Sequence, residues 1–283
     1  MTIDEQLPPE VEETPAAPVP DAPVPDAPVK DRRALRAALR WTAAVAVFAA
    51  VGAASAYGVT RLERTDVPGL ATASDGRWDY PTLTKPPLPS GSPGPFAESN
   101  PAGTHHADLR ALVLPAPEGA RQDKALRGDD GWLPTQDFLA QFPEKTQREE
   151  LGRKLVDYGL RHIAARGWTT DDGTSTRVYL LRFGTAQVVD ELASVELTPF
   201  GGPSYRVRDD GVSEFDLDFA EIRQIPETRR YAYAEAKPYG ARQVRQAYVT
   251  AGDVLAVIVQ SREGNALTVP FRQTVTLQSQ LLG

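Results

Sequence analysis

The chain contains no cysteine. That absence excludes disulfide bonds, thiolate metal sites, a cysteine nucleophile and a lipid-modified cysteine. Whatever folds here is held by its apolar core alone. Histidine is nearly absent too, with three in 283 residues: His105, His106 and His162. The chain has no Gly-x-Ser-x-Gly, His-Glu-x-x-His, P-loop or Gly-x-Gly-x-x-Gly. Lysine is scarce, six against 25 arginines. With the many alanines, this balance suggests GC-rich coding sequence. The C-terminal two thirds is mildly acidic, so no nucleic-acid partner is expected. No cofactor is expected.

What the chain does have is one long uncharged run. Trp41 to Thr60 holds twenty residues without a charge, bracketed by Arg40 and Arg61. At a helical rise of about 1.5 Å per residue it reaches roughly 30 Å, the hydrocarbon thickness of a bilayer. A single transmembrane helix is expected over 41–60. Lys30, Arg32, Arg33, Arg36 and Arg40 precede it, whereas Arg61 and Arg64 follow it diluted by Glu63 and Asp66. The positive-inside rule then places the N-terminus in the cytoplasm and the C-terminal part outside it, in a single-pass protein of the cell membrane. Trp41 and Tyr57 sit where interfacial anchors would. Ala54-Ser55-Ala56 offers a cleavage site, so a signal peptide cut after Ala56 is the alternative. Against it stands an acidic, 40-residue segment ahead of the apolar run.

Proline divides the chain. Sixteen of 25 prolines fall in residues 1–104. Residues 1–29 hold seven acids and no base, and Ala-Pro-Val-Pro-Asp occurs at 17–21 and again at 22–26. Such a tail is expected to be disordered, serving as a solvated spacer or as a docking strip for a cytoplasmic partner. The first segment is thus an acidic tail over 1–40 that ends in the basic cluster. Residues 61–104, rich in Pro, Gly and Ser, read as a stalk. Residues 105–283 read as an extracytoplasmic folded domain.

Within that domain a short apolar element runs from Asp108 to Pro115. A short helix over 133–142 has Thr135 as its cap. A longer helix is expected from Gln147 to Arg166, with a capping box at Thr146 and Glu149 and a stop at Gly167. Strands are expected at 176–183, 213–225, 230–236, 242–250 and 254–260, and helices at 185–196 and 269–282. In the 213–225 strand, Ala220 and Ile222 shift the apolar phase by one residue, which suggests a β-bulge. The Leu255–Val259 run reads as a central strand buried on both faces. The fold class is α+β, an antiparallel sheet packed with helices and preceded by one transmembrane helix.

Candidate chemistry is thin. His105 and His106 stand at the expected stalk boundary, where solvent exposure is the ordinary outcome. His162 falls on the apolar side of the expected long helix, as a half-buried packing residue. Asp-Asp-Gly occurs at 129, 171 and 209, each explained by turn chemistry. Glu214, Asp216 and Asp218 alternate, so a strand would put three carboxylates on one face, where a metal ion would relieve their repulsion. The outer face of a sheet is their ordinary home. Tyr231, Tyr233 and Tyr248 on neighbouring strands form either cross-strand packing or an exposed aromatic patch for a glycan or peptide.

The layout of tail, basic cluster, anchor, stalk and cysteine-free domain resembles actinobacterial single-pass membrane proteins of uncharacterised function. Leu109–Gly119, the segment ending at Gly167-Trp168, and Arg177–Phe183 carry the likeness within the domain. The domain is also similar to PsbP-like domains and to the extracytoplasmic sensor domains of bacterial serine/threonine kinases. The resemblance implies a membrane-anchored sensor-like domain and transfers no functional residue. The function expected is non-enzymatic binding of an envelope protein, glycan or peptide through a groove between sheet and helices. Two alternatives stand beside it: a structural adaptor linking a cytoplasmic partner on the tail to an envelope assembly, and an envelope enzyme using carboxylates such as Asp216 and Asp218.

Overall fold

The computed structural model describes residues 32–61, 74–220 and 225–283. The expected tail, its repeats and the residues just after the anchor lie outside the described residues. The chain divides into two compact units, Met1–Thr72 and Ala73–Gly283.

The described part of the first unit is helix α1, Arg32–Arg61. It begins nine residues before the uncharged run. Arg32, Arg36 and Arg40, four residues apart, therefore share one stripe of helix surface. The span Arg32–Gly58 is long and apolar enough to cross a membrane, and it is the one such helix among the described residues. Its Thr42 and Thr60 hydroxyls donate back to the carbonyls of Ala38 and Tyr57, at 2.8 and 2.9 Å. A helix in lipid must satisfy its polar groups internally in this way.

The second unit is built on seven antiparallel strands. In chain order these are β1 (Arg121–Asp123), β2 (His162–Thr169), β3 (Ser175–Arg182), β4 (Ser213–Phe215), β5 (Arg229–Glu235), β6 (Arg242–Ala251) and β7 (Val254–Glu263). They lie side by side as β1-β2-β3-β7-β6-β5-β4, which puts β7 in the middle. Its side chains alternate strictly. Leu255, Val257 and Val259 enter one core, and Val254, Ala256 and Ile258 enter the other. The first core lies under helices α3 (Thr135–Leu139), α4 (Lys145–Asp157) and α5 (Ala186–Glu191), with a wider π-helical turn at Leu192–Leu197. The second lies under α2 (Leu109–Leu112) and the C-terminal α7 (Thr268–Leu282). Both faces of the sheet are covered, so its central strands are apolar throughout. This is the expected α+β arrangement, and β3, β5, β6, β7 and α7 match the sequence expectation within a few residues.

Three expected elements differ in the structure, and the expected caps Thr135 and Thr146 fall inside their helices, behind Pro134 and Glu144. The long helix stops early. α4 ends at Tyr158 because Gly159 takes φ +71. The Leu160 amide bonds the Leu155 carbonyl and the Gly159 amide bonds that of Val156, the paired closure of a Schellman motif. The stop residue is Gly159, not Gly167. The remainder becomes β2, paired with β3 from His162↔Arg182 to Thr169↔Ser175.

The strand over 213–225 is also cut short. After β4, the Asp216 carboxylate accepts the Phe219 amide at 3.0 Å and starts a helical turn, α6 (Leu217–Ala220). Of the β-bulge pair, Ala220 lies in that turn and Ile222 lies outside the described residues.

The third concerns the stretch read as stalk. Residues 74–104 carry almost no regular structure, yet they belong to the folded unit. Trp78, Tyr80, Leu83 and Phe96 pack on the α7-side core. The Trp78 amide donates to Gln273 Oε1 and its carbonyl accepts from Gln273 Nε2, both at 2.8 Å. The Tyr80 hydroxyl meets Thr274 Oγ1 at 3.0 Å, and its ring meets Trp168 edge-on at 6.4 Å. Proline content reported the lack of helix and strand correctly. It did not report packing, which these aromatic residues supply.

Replacing Tyr80 with alanine is expected to lower unfolding stability by about 2 kcal/mol, and with phenylalanine by about 1 kcal/mol or less. Denaturant midpoints test this. Midpoints that do not move would place the segment outside the cooperative unit.

Candidate functional site

The clearest open concavity with convergent charge lies beside the β1–β2 edge, where three segments meet. The first is α2, whose cap Asp108 accepts the Arg110 amide at 2.9 Å and aims that side chain outward. Arg110 grips its own cap: Nε lies 3.0 Å from Asp108 Oδ1 and Nη2 lies 2.7 Å from Oδ2. This pairing holds the Asp108 carboxyl below the usual carboxylate range. The Arg110 guanidinium also donates to the Asp130 carbonyl at 2.7 Å and lies 5.0 Å above the Trp132 ring.

The second segment runs from the 3₁₀ turn Lys124–Arg127 through the tight turn Asp129–Trp132. Gly128, at φ +61, closes against the Trp132 carbonyl so tightly that a Cβ there would collide with it. The third is β2, which presents Arg166 on the same face as Ala164 and Trp168. Arg166 donates to the Val113 carbonyl at 2.8 Å. Burial, and then the charge of Arg127, push the Arg166 pKa down. Neither Arg127 nor Arg166 forms an ion pair with a carboxylate among the described residues. Together Arg110, Arg127, Arg166, Asp130, Val113 and Ala164 line a cleft of about 490 Å³. Guanidinium groups stay protonated and carry no acceptor. The cleft thus offers three sets of guanidinium donors, with one carboxylate, Asp130, beside them.

A wider, shallower groove of about 800 Å³ runs along α4, lined by Leu139, Arg148, Gly152, Arg153 and Val156. A third hollow, about 270 Å³, lies between Leu88, Leu112 and Leu281 and is backed by His105.

The residues singled out in the sequence lie elsewhere. Tyr231 and Tyr248 are direct cross-strand partners, and Tyr233 meets Tyr248 edge-on at 6.2 Å. Tyr233 and Tyr248 are buried in the α4-side core, and Tyr231 packs against it. The Tyr233 hydroxyl donates to the Pro199 carbonyl at 2.9 Å. The three come together as core packing, with no exposed patch.

Glu214, Asp216 and Asp218 do not share a strand face, since only Glu214 lies in β4. Asp216 sits between Arg245 at 3.5 Å and Arg272 at 3.8 Å, while Glu214 and Asp218 are exposed. Among the described residues no three His, Cys, Asp or Glu side chains gather as a metal site.

His162 opens β2, exposed, with its ring 4.7 Å from Trp132. His106 is half-buried. At Asp-Asp-Gly 171 the turn chemistry is as expected: Asp172 Oδ1 accepts the Thr174 amide and the Thr170 hydroxyl, both at 2.8 Å.

His105 is the largest departure. It is 3% exposed rather than solvated. Its Nδ1 meets Asp253 Oδ1 at 2.8 Å, and its Nε2 meets the Leu282 carbonyl at 3.0 Å. Arg182 Nε donates to the other Asp253 oxygen at 3.0 Å, and the His105 amide donates to Oδ1 at 2.9 Å. The Asp253 amide in turn bonds the Gly103 carbonyl at 2.9 Å. This knot ties four parts together: the segment before α2, the end of β3, the β6–β7 turn and the C-terminus. Both imidazole nitrogens and both Asp253 carboxylate oxygens have a partner in it.

No known protein-family profile matches this chain, and no curated protein matches it. Among solved structures, the extracellular domain of PknH from Mycobacterium tuberculosis aligns with 46% of this chain and 68% of its own, at 12% identity and a TM-score of 0.30. A protein of Mycobacterium smegmatis described as an Rv0999 ortholog aligns with 59% of this chain and 77% of its own, at 11% identity and a TM-score of 0.27. Both are mycobacterial, and one is an extracellular domain. At these values nothing of either protein's function transfers.

Replacing His105 with alanine leaves the Asp253 carboxylate and the Leu282 carbonyl short of a buried donor. The expected loss of stability is about 2–4 kcal/mol, with no change in any ligand affinity at the arginine cleft. Thermal and denaturant unfolding of the variant measure it. A variant as stable as the parent would show that the knot does not tie these segments together.

Proposed function

We propose that the chain is a single-pass membrane protein, its N-terminus cytoplasmic, that displays the unit Ala73–Gly283 outside the cytoplasm as a non-enzymatic, sensor-like binding domain. The observation that carries this reading is helix α1: an apolar span with four arginines in its first nine residues. Base asymmetry of this kind sets orientation. The absence of enzymatic activity rests on the polar groups themselves. His105 and Asp253 are consumed by a structural knot, Asp216 is neutralised by two arginines, and the arginine cleft is lined mainly by guanidinium groups. In this reading the folded unit recognises a ligand in the envelope, and the membrane span fixes where it does so.

The lack of cysteine makes the topology directly readable. Glu98, exposed on the folded unit, and Ala22, in the tail, are replaced singly as Glu98→Cys and Ala22→Cys. A membrane-impermeant maleimide applied to intact cells is expected to label Glu98→Cys, and to label Ala22→Cys only after lysis. The reverse pattern would overturn the orientation. Labelled Glu98→Cys protein released from the membrane as a shortened chain would replace the anchor with a cleaved signal.

A further inference from the structure

Three arginines and one carboxylate, Asp130, line the arginine cleft, so its charge is net positive. Most arginines near a carboxylate in the folded unit use it: Arg110 holds Asp108, Arg182 holds Asp253, and Arg245 and Arg272 share Asp216. Arg166 is only partly exposed and spends one nitrogen on the Val113 carbonyl, and it shares the hollow with a second cation, Arg127. Like charges that face a common hollow raise the cost of one another's burial. Arg127 is exposed on its 3₁₀ turn and borders the same hollow. The hollow between them is concave, about 490 Å³, floored by Val113 and Ala164. Arg110 borders it with its position fixed by Asp108 and by the Trp132 ring.

From this we propose that the cleft is a binding site for a phosphate-bearing anion, with Arg127 and Arg166 holding the phosphate oxygens and the aliphatic floor accepting the remainder of the ligand. The proposal deepens the binding-domain reading given above and rests on it only for the setting in which the ligand is met. Guanidinium forks match tetrahedral oxyanions with paired N–H donors, and that match favours phosphate over a spherical anion such as chloride. Arg110 already spends its Nε and Nη2 on Asp108, so it shapes the rim and adds field rather than the main contacts. The same phosphate chemistry is offered by a soluble phosphorylated metabolite or polymer and by an anionic lipid headgroup.

The test uses the full chain in nanodiscs of phosphatidylcholine, with inorganic pyrophosphate as the probe and calorimetry as the readout. Saturable binding is expected, weakening as salt is raised because the contacts are ionic. Arg127→Gln and Arg166→Gln are each expected to weaken it by about 10-fold or more, the scale of one charge-assisted contact. Arg153→Gln, in the groove along α4, is expected to leave it unchanged. Arg127 makes no contact that the fold needs, so its variant reports on binding even where Arg166→Gln fails to fold. Repeating the titration in nanodiscs containing phosphatidylglycerol separates the sources. Unchanged binding supports a soluble ligand, and binding abolished by competition supports a headgroup; both keep the site. No saturable binding in phosphatidylcholine nanodiscs, or equal affinity in Arg127→Gln and the parent, overturns the proposal. Binding that persists when the maleimide pattern is reversed would sink the orientation and spare the site.

Discussion

Burial of both faces of one sheet is the constraint on which the folded unit depends. With no cysteine to staple it, the unit has only apolar contact and hydrogen bonding to oppose chain entropy. β7 shows how the sequence meets that demand, with six successive apolar residues shared between two cores. Each face then needs its own cover. The α3, α4 and α5 helices supply one, and α7 with the irregular segment from Trp78 to Leu114 supplies the other. Removing that irregular segment would leave Trp168 and the α7-side core facing water. Residues 74–104, read as stalk from the sequence, are therefore part of the minimum that folds.

Polar groups inside such a layered unit must be matched, and the buried knot shows one way. Asp253 is fully buried with His105 and Arg182 upon it. Both imidazole nitrogens face acceptors, so the ring has no lone task left. Taking such a pair out of water is costly unless each lone pair and proton finds a partner. Here the partners come from four separate segments, so the knot fixes their mutual register. The arginine cleft is the contrasting case. Its charges sit at the sheet edge, partly solvated and unanswered by any carboxylate beyond Asp108 and Asp130.

Much of the scaffold was legible in the sequence. Strands were expected at 176–183, 242–250 and 254–260, the last from the apolar run Leu255–Val259, and β3, β6 and β7 stand there. The α4–β2 boundary was missed because Leu151, Leu155, Tyr158 and Ile163 keep a near-helical spacing across it. Two glycines, 159 and 167, competed for the stop. Pairing with β3 decided the matter, and nothing local records that pairing. Glu214, Asp216 and Asp218 misled for a similar reason: two-residue spacing implies a shared face only while the strand lasts, and Asp216 caps a helical turn instead. The cleft was invisible because Arg110, Arg127 and Arg166 sit on three elements with no local pattern. His105 carried no signal either, since its partner lies 148 residues away.

A doubly covered sheet centred on β7 holds the unit, with the irregular segment from Trp78 onward as one of its covers. Hydrogen–deuterium exchange of the intact protein, read by peptide mass, tests it most directly. The slowest exchange is expected in peptides over Val178–Leu181 and Val254–Val259, with clear protection of the Trp78 amide, bonded to Gln273 in α7, and of the Asn100 amide, bonded to the Ala97 carbonyl within the segment. Exchange of 74–104 at the rate of an unstructured chain, with the sheet still protected, would contradict it.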